Sequence, residues 1–540
     1  MLHFNRWTCG VAIVLVFGVA TGCGSSSGQD NGTVPDVSAE VAPDVIGEVA
    51  SDVVADVAAE VASDVVADVA AEVPADVVAD VAADVVEDAM PDVAWETLPR
   101  LPEGLVITAD FAAGAAQKDV SPTQPTHLGG FGFCLGDETV CRSTDGVHDP
   151  LLASTVAIAD PKSGEVVMFI GVDTIGVLRS DVEDMHRRIQ KRLYEQYGVY
   201  FPGERAMIGA SHAHSSCDTV GLWGPMMGAG RQEQYVELLK NGVVDSAAEA
   251  FGKLVDVTMD WGKGSWVNSD EDGFTHDNDL FVLRGKGTDD NTVFTLVRFP
   301  AHPTTYGDKM HAASADFVGT MRLKLEKDLG GLNVFMNGPI GSVYPERPNE
   351  CGLTEEAFPN GDRTTTTMDP ADYMKTTCTG YGIAEVVKTA LTTSTPLVAT
   401  NGITFKHTKF HFHPTNGTLM MLAEVGPLPF DNVNVDDPEA MMYSIFSVAT
   451  VGDLTYITTP GESFPSFGDE AKKIAVEANL PNPIVLGLTQ DWMGYLLLEK
   501  QWKDANLSYH QSLSPGETVE PTFMAAMRKL LGLPAAPPVK

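Results

Sequence analysis

Apolar runs that alternate with amphipathic stretches predict an α/β fold for most of this 540-residue chain. Short runs rich in β-branched and other apolar residues, as at 166–172 and 292–299, predict buried strands. Helical spacing of apolar residues at 182–197 and 234–254 predicts helices between them. Because strands and helices alternate, we expect a large mixed β-sheet flanked by helices within one domain, residues 101–540.

The predicted elements follow one another in a regular order along this domain. They are strands at 166–172, 206–210, 292–299 and 332–336, and helices at 182–197, 234–254 and 314–329. In open sheets of this class, functional groups collect beyond the carboxyl ends of the strands. We therefore expect the reactive side chains directly after the apolar runs.

The first residues predict an export signal outside the fold. Arg6 precedes an apolar run at 11–19 that is too short to span a bilayer, and residues 20–23 read Ala-Thr-Gly-Cys. This pattern predicts a lipoprotein signal peptide at 1–22 and acylation of Cys23. Because the residue after this cysteine is not acidic, we expect a lipid anchor in the cell envelope, in the outer membrane of a Gram-negative bacterium. The alternative is an uncleaved membrane anchor.

Residues 23–100 predict an acidic, low-complexity tether. From Asp36 to Glu96 an acidic residue stands at every fourth position, and the interval 30–99 holds eighteen Asp and Glu and no Lys or Arg. A period of four drifts by about 40° per repeat around a helix, and like charges four residues apart repel. We therefore expect a disordered, solvated segment that lifts the domain off the lipid surface. A cation-binding or adhesive repeat is the alternative.

The charge of the rest of the chain excludes one class of partner. Of the 74 acidic residues, 56 lie outside the interval 30–99, against 35 Lys and Arg in the whole chain. Such a surface repels polyanions, and the sequence has no glycine-rich phosphate loop of the Walker type. We therefore expect no nucleic-acid partner.

The cysteines fit an oxidising compartment. Five of them follow the predicted acylation site, at positions 134, 141, 217, 351 and 378. Cys134 with Cys141, and Cys351 with Cys378, would each staple a loop, although spacing does not determine connectivity. Cys217 is then left over. We expect a buried free thiol there, and a role in metal binding is the alternative.

Three apolar runs each lead directly into a good metal ligand. Residues 206–214 end in Ser-His-Ala-His, residues 293–303 end in Pro-Ala-His-Pro, and residues 454–462 end in Pro-Gly-Glu. A catalytic zinc site needs about three protein ligands and an open position, and imidazole and carboxylate groups supply them without thiolate. The predicted ligands of Zn²⁺ are His212, His302 and Glu462.

The surroundings of the two histidine segments bear on their roles. His212 and His214 are two residues apart, so their side chains point to the same side if the chain is still extended. One can then bind metal while the other works beside it. Pro300 and Pro303 restrict the backbone around His302. A histidine that stood alone would more often be a core or turn residue.

Two other motifs do not by themselves predict a catalytic role. Residues 209–213 (Gly-Ala-Ser-His-Ala) are one residue short of the nucleophile elbow of a serine hydrolase, because glycine is missing at the last position. Tyr495 and Tyr509 lie near the end of the domain. Spacing alone predicts that both tyrosines are core or rim residues, since tyrosinate is an uncommon zinc ligand.

Taken in order, the motifs resemble those of one family. The segments concerned are 113–116 with 119–122, 146–151, 211–215, 299–303 with 314–319, 460–462 and 494–495. Their order and spacing resemble the neutral/alkaline (non-lysosomal) ceramidase family, whose members are zinc amidohydrolases that cleave the amide of N-acylsphingosine. The resemblance extends from about Phe111 to Tyr509.

The resemblance implies a site and an activity. The implied zinc ligands are His212, His302, Glu462 and Tyr495. His214 is then the candidate acid/base, and Tyr509 the candidate hydrogen-bond donor to the substrate. The expected activity is zinc-dependent hydrolysis of the N-acyl amide of ceramide or a similar lipid, through a metal-activated water.

Two positions depart from the family pattern. Tyr344 stands where the family has an active-site serine, and is a candidate catalytic donor in its place. Asn268-Ser269 aligns with an Asn-Arg pair, so the family arginine is absent. Because few residues follow Tyr509, we also expect no counterpart of the carboxy-terminal immunoglobulin-like domain of characterised ceramidases. Two alternative functions follow: a zinc esterase or amidase for a non-sphingoid substrate, and a catalytically inactive surface binding lipoprotein.

Overall fold

The computed structural model describes residues 93–134, 141–225, 230–269, 277–348, 351–358, 370–417 and 442–536. The predicted signal peptide, Cys23 and the predicted tether up to residue 92 lie outside these residues. Residues 93–100, at the end of the predicted tether, contact the domain. The ring of Trp95 packs edge-on against Tyr194, with the ring centroids 5.3 Å apart.

Strands and helices alternate along the described residues. In chain order the strands are β1 Phe111–Asp119, β2 Gly146–Val147, β3 Leu152–Asp160, β4 Glu165–Val172, β5 Ala206–Ala210, β6 Val255–Ser265, β7 Asn268–Ser269, β8 Asp279–Gly287, β9 Thr292–Phe299, β10 Ala312–Ala313, β11 Leu332–Asn337, β12 Tyr344–Pro345, β13 Thr395–Pro396, β14 Ile403–Phe412, β15 Met442–Val451, β16 Leu454–Thr458, β17 Glu462–Ser463, β18 Pro483–Leu486 and β19 Tyr495–Leu496. The α-helices are α1 Arg179–Tyr197, α2 Glu233–Gly252, α3 Phe317–Leu329, α4 Pro370–Thr392, α5 Pro465–Glu477, α6 Ser508–Ser512 and α7 Val519–Leu530. Short 3-10 helices lie at Trp95–Thr97, Gly203–Arg205, Ala399–Asn401, Glu499–Lys503 and Ala505–Leu507.

The largest sheet is mixed and flanked by helices, which confirms the predicted fold class. Its strands lie in the order β11-β9-β8-β6-β1-β3-β4-β5, and β13 pairs with β6. The β4–β5 and β9–β11 pairs are parallel, and the other neighbours are antiparallel. The predicted strands at 206–210 and 292–299 have their expected bounds. The predicted helix at 314–329 begins later, at Phe317, because the Asp316 carboxylate caps it by accepting the Phe317 N–H.

Helices cover one face of this sheet, and a second sheet covers the other. Met168 and Ile170 of β4 point into the core formed with α1 and α2, whereas Val167 and Phe169 point to the opposite side. Farther along the first face, α3 and α4 pack over β8 and β9. Burial on both faces explains why β4 reads as a continuous apolar run.

The second sheet was not predicted from the sequence. It has the strand order β14-β15-β16-β18. Phe169 of the large sheet meets Tyr456 of the second sheet, with ring centroids 4.6 Å apart. Helices α5 and α7 cover the outer face, where the rings of Phe467 and Phe523 lie 5.1 Å apart. The domain therefore has four layers, helix, sheet, sheet and helix.

The two ends of the large sheet approach each other. In the strand order β5 and β9 run in opposite directions, because an odd number of antiparallel pairings separates them. Twist accumulates across a sheet of this width, and β11 packs across β4, so closely that a Cβ on Gly171 would lie 2.1 Å from the Phe335 carbonyl oxygen. The carboxyl end of β5 therefore meets those of the parallel pair β9 and β11, although β5 lies at the other end of the strand order.

Four of the cysteines pair as expected, and one of the four, Cys378, lies in α4. Disulfides join Cys134 to Cys141 and Cys351 to Cys378. Cys217 is buried and free, as expected, and lies outside the histidine cluster that can hold a metal ion. Across the described ranges, no helix has both the length and the apolar character that a membrane crossing requires.

Gly171→Ala should destabilise the domain, because the added methyl group would meet the Phe335 carbonyl oxygen where the sheet ends touch. Overpacking of this kind costs about 1–3 kcal/mol. Denaturant unfolding measures the loss. Gly417→Ala is the matched control, since an added Cβ there has none of the described residues within 4 Å. Equal free energies of unfolding for the two variants would contradict the close approach.

Candidate metal centre and active site

His212 lies just beyond β5, where the chain turns sharply. Its φ of 67° is in the left-handed region, so the extended chain assumed for His212 and His214 is not found. Their rings are still neighbours, with centroids 4.9 Å apart. The Nδ1–H of His212 donates to the Ile175 carbonyl oxygen at 2.6 Å. This bond leaves a lone pair on Nε2, which points into the site.

His302 follows β9 and is held by one backbone acceptor. Its backbone N–H and its Nδ1–H both donate to the Val343 carbonyl oxygen, each at 2.9 Å. The residue is only 1% exposed. Two bonds to one oxygen restrict the ring, so its Nε2 also presents a lone pair to the site.

Glu462 lies between the two imidazoles. Its Oε2 is 3.3 Å from the Nε2 of His212 and 3.3 Å from the Nε2 of His302. Its Oε1 accepts the indole N–H of Trp492 at 3.1 Å. Burial acts to raise the pKa of Glu462, but the two imidazoles, which lower it when they carry hydrogen on Nε2, outweigh burial and hold this pKa well below its usual value.

This donor set fits a metal cation. In the tautomer whose hydrogen lies on Nδ1, where a carbonyl oxygen accepts it, each ring offers a lone pair at Nε2. Two lone pairs and a carboxylate oxygen then converge with no hydrogen between them, which is costly in a buried site unless positive charge lies among them. A backbone carbonyl that accepts the second N–H of the ring is also the usual support of a metal-binding histidine. The residues present therefore fit Zn²⁺.

Tyr495 lies directly opposite Glu462. The parallel strands β17 and β19 place these two residues in register. Burial, followed by the charge of the Glu462 carboxylate, raises the pKa of Tyr495 well above its usual value. The four predicted ligands thus form one cluster, in which His212, His302, Glu462 and Tyr495 are all at most 5% exposed.

His214 is the third histidine of this cluster. The ligand atoms of His212, His214 and His302 lie within 4.8 Å of one another, an arrangement that can hold a metal ion. Both ring nitrogens of His214 are buried and have no hydrogen-bond partner among the described residues. Burial, followed by the two neighbouring histidines, lowers the pKa of His214 well below its usual value. The ring is therefore neutral at neutral pH.

Tyr509 lies on the outer side of the cluster. It is 56% exposed, and its ring centroid is 6.0 Å from that of Tyr495. Partial burial, followed by the charge of Glu462, raises the pKa of Tyr509. Its hydroxyl therefore keeps its proton at neutral pH and can donate a hydrogen bond.

The two departures from the family pattern face each other. Strands β7 and β12 pair antiparallel, with Tyr344 opposite Ser269 and Pro345 opposite Asn268. The ring of Tyr344 stacks on that of His302, with centroids 4.8 Å apart and an interplanar angle of 22°. At this wall of the site, a tyrosine therefore lies directly against a predicted metal ligand.

Asn337 joins the two histidine segments and was not predicted. At the end of β11, its Nδ2 donates to the carbonyl oxygens of Ser211 at 2.8 Å and Ala301 at 3.2 Å. Its Oδ1 accepts the backbone N–H of Ala301 at 3.2 Å. The available signal was its place directly after the predicted strand at 332–336.

Two aromatic residues that contact the predicted ligands were not predicted from the sequence. The indole N–H of Trp492 donates to the Glu462 carboxylate. His510 packs edge-on against the Tyr495 ring at 4.7 Å between centroids. Neither role has a sequence signal, because both depend on contacts made only in the folded chain.

The serine-hydrolase alternative finds no support. Ser211 is 1% exposed, and within the described part of the chain its hydroxyl has no hydrogen-bond partner. A catalytic serine needs a base within hydrogen-bond reach. A nucleophile elbow also leads from its strand into a helix, whereas the next helix after β5 begins only at Glu233.

With this site in place, the fold is found to be similar to that of solved ceramidases. The crystal structure of neutral ceramidase from Pseudomonas aeruginosa superposes with a TM-score of 0.58 at 15% sequence identity, over 80% of this chain and 76% of that chain. A ceramidase complexed with C2 superposes with a TM-score of 0.58 at 13% identity, over 80% of this chain and 77% of that one. No protein-family model and no curated protein sequence matches the chain. At this level of identity, the likeness shows a shared fold.

Asn337→Ala should weaken metal binding as well as folding. It leaves buried backbone groups of both histidine segments unsatisfied, at a cost of about 1–3 kcal/mol. Asn333→Ala is the matched control on the same strand, since Asn333 Nδ2 bonds to Thr295 away from the histidines. Both variants should lower the free energy of unfolding, but only Asn337→Ala should lower the zinc affinity in a chelator competition titration. Equal zinc affinities would contradict the bridging role.

Proposed function

We propose that this chain is a zinc-dependent amidohydrolase that cleaves the N-acyl amide of ceramide or a similar lipid. The observation that carries the proposal is the meeting of the Nε2 atoms of His212 and His302 at Oε2 of Glu462, each at 3.3 Å. Two solved ceramidases with the same fold support the choice of reaction.

His212, His302, Glu462 and Tyr495 would hold the zinc ion. When bound there, Zn²⁺ lowers the pKa of a water molecule towards neutrality and polarises the substrate carbonyl. His214 is left out of the ligand set for a physical reason. The other two histidines each have a carbonyl acceptor for Nδ1–H, whereas neither nitrogen of His214 has this support within the described ranges.

His214 moves the proton that the reaction requires. Hydrolysis breaks the C–N bond of the amide and joins the oxygen of water to the acyl carbon, so a proton must reach the leaving amine. The neutral ring of His214 accepts a proton from the water and passes it to the amine nitrogen. Tyr509 keeps its own proton and donates a hydrogen bond to the oxyanion that forms on the carbonyl oxygen.

Tyr344 is the second proposed donor to the substrate, and it also shapes the pocket. Its ring covers one face of His302. A phenol occupies more space than the serine hydroxyl that the resemblance places here. This observation favours an acyl group different from that of ordinary ceramides, and makes a zinc esterase or amidase for a non-sphingoid substrate the second candidate function.

We also propose that the enzyme acts from a lipid anchor. The signal-like residues 1–22, the acylation site at Cys23 and the acidic segment 23–100 support a location in the cell envelope, in the outer membrane. The catalytic domain would then be 101–540. Attachment would keep the domain near a membrane that contains its lipid substrate.

The principal test combines zinc content with ceramide hydrolysis for the full chain and three variants. His212→Ala and Glu462→Ala should lose both zinc and hydrolysis, because each removes a ligand. His214→Ala should keep zinc and lose about 100-fold or more in kcat, as expected for an acid/base. Zinc loss in His214→Ala would make it a ligand instead.

Outcomes with the unaltered chain decide between the candidates. Zinc without ceramide hydrolysis, but with hydrolysis of simpler N-acyl or ester compounds, would favour the second candidate. A chain that binds no zinc would refute the proposal.

Tyr344→Phe should lower kcat about 10-fold or more without loss of zinc, because it removes the hydroxyl and keeps the ring on His302. Tyr344→Ser restores a small hydroxyl and should shift the preference towards bulkier acyl groups. Steady-state kinetics with substrates of increasing acyl length measure both effects. An unchanged kcat in Tyr344→Phe would show that the tyrosine only shapes the pocket.

A further inference from the structure

Arg142 is a buried cation to which the proposed reaction assigns no role. It is 8% exposed, and across the described ranges it forms no ion pair with a carboxylate. Its Nη1 donates to the carbonyl oxygens of Gly129 and His214, each at 3.0 Å, and its Nη2 donates to the Met310 carbonyl oxygen at 2.8 Å. Burial lowers the pKa of Arg142 to about 10. The group is therefore still charged at neutral pH.

The three acceptors belong to three separate segments. Gly129 lies in the loop before β2, His214 in the loop after β5, and Met310 in the loop before β10. A planar guanidinium presents several N–H groups in a rigid fork, which suits three carbonyl oxygens around it. A lysine ammonium at the end of a flexible chain cannot hold the same three segments with the same geometry. Arg142 thus ties together the loops that meet at His214.

The ring of His214 depends on this arrangement, because neither ring nitrogen has a hydrogen-bond partner among the residues that the structure describes. Packing against the described neighbours therefore orients the ring. Gly130, with φ of 96°, lies so close that an added Cβ would be 2.3 Å from Cγ of His214. Phe131 meets the ring edge-on at 4.7 Å between centroids. The guanidinium carbon of Arg142 lies 5.0 Å from the centroid of Phe131.

We propose that Arg142 is a positioning residue for His214. It holds the His214 backbone through a carbonyl oxygen, and it holds the ring through the Gly129–Phe131 loop. A proton carrier without hydrogen bonds must be placed by its surroundings, since misplacement by about 1 Å can cost about 100-fold in rate. This inference rests on the proposed function, in which His214 transfers the proton.

Arg142→Lys in the full chain tests the inference, with Arg528→Lys as the matched control. Arg528 is also a buried arginine, 9% exposed, and bonds Glu477 and the Pro534 carbonyl oxygen through α7, with no contact to the histidine cluster. Arg142→Lys should lower kcat about 10- to 100-fold, with KM and zinc content unchanged. Arg528→Lys should lower only the melting temperature. An unchanged kcat in Arg142→Lys, or a fall in kcat that follows zinc loss, would overturn the inference.

A second measurement does not depend on activity. Diethylpyrocarbonate labels accessible imidazoles, and peptide mass spectrometry gives the rate at His214. Labelling should be slow in the unaltered chain, several-fold faster in Arg142→Lys and unchanged in Arg528→Lys. If the unaltered chain hydrolyses no substrate, the proposed function fails, and the labelling rate still decides whether Arg142 holds His214. Equal rates in all three proteins would refute that role.

Discussion

The burial of the Glu462 carboxylate between two imidazoles is the interaction on which the rest of the site depends. An ionised carboxylate that is 3% exposed is stable only if nearby groups compensate its charge. Here His212 and His302 approach the same oxygen, and Trp492 donates to the other. The neighbouring backbone carbonyls accept Nδ1–H from both histidines, so the lone pairs converge where a cation would lie.

The arrangement of the two sheets brings His212, His302 and Glu462 together. The histidines come from opposite ends of the large sheet, and the carboxylate follows β16 of the second sheet. Twist brings β11 across β4, and face-to-face packing brings the second sheet to the same edge. Asn337 then bonds both histidine segments. The proposed metal ligands are therefore supported by buried strands of both sheets.

The cluster contains side chains that are held in two different ways. The proposed ligands His212, His302 and Glu462 are fixed by directional hydrogen bonds to backbone or indole groups. The ring of His214, the proposed proton carrier, has no hydrogen-bond partner within the described part of the chain and is oriented by packing. A metal ligand must keep its lone pair pointing in one direction, whereas a proton carrier needs ring nitrogens that can accept and release a proton. The two kinds of support therefore suit the two proposed roles. Tyr344 adds an aromatic wall against His302.

The sequence by itself determined the fold class and the candidate ligands, because hydrophobic periodicity and residue type are local properties. The strands at 206–210 and 292–299 and the ligands after them were visible as apolar runs that end in histidine. The tertiary structure alone decided the second sheet, the closure of the large one, and the contacts of Asn337 and Arg142. These depend on contacts between residues far apart in the chain, and such contacts leave no periodic pattern in the sequence. The left-handed backbone conformation of His212 was likewise not visible in the sequence, because the surrounding fold maintains this strained conformation.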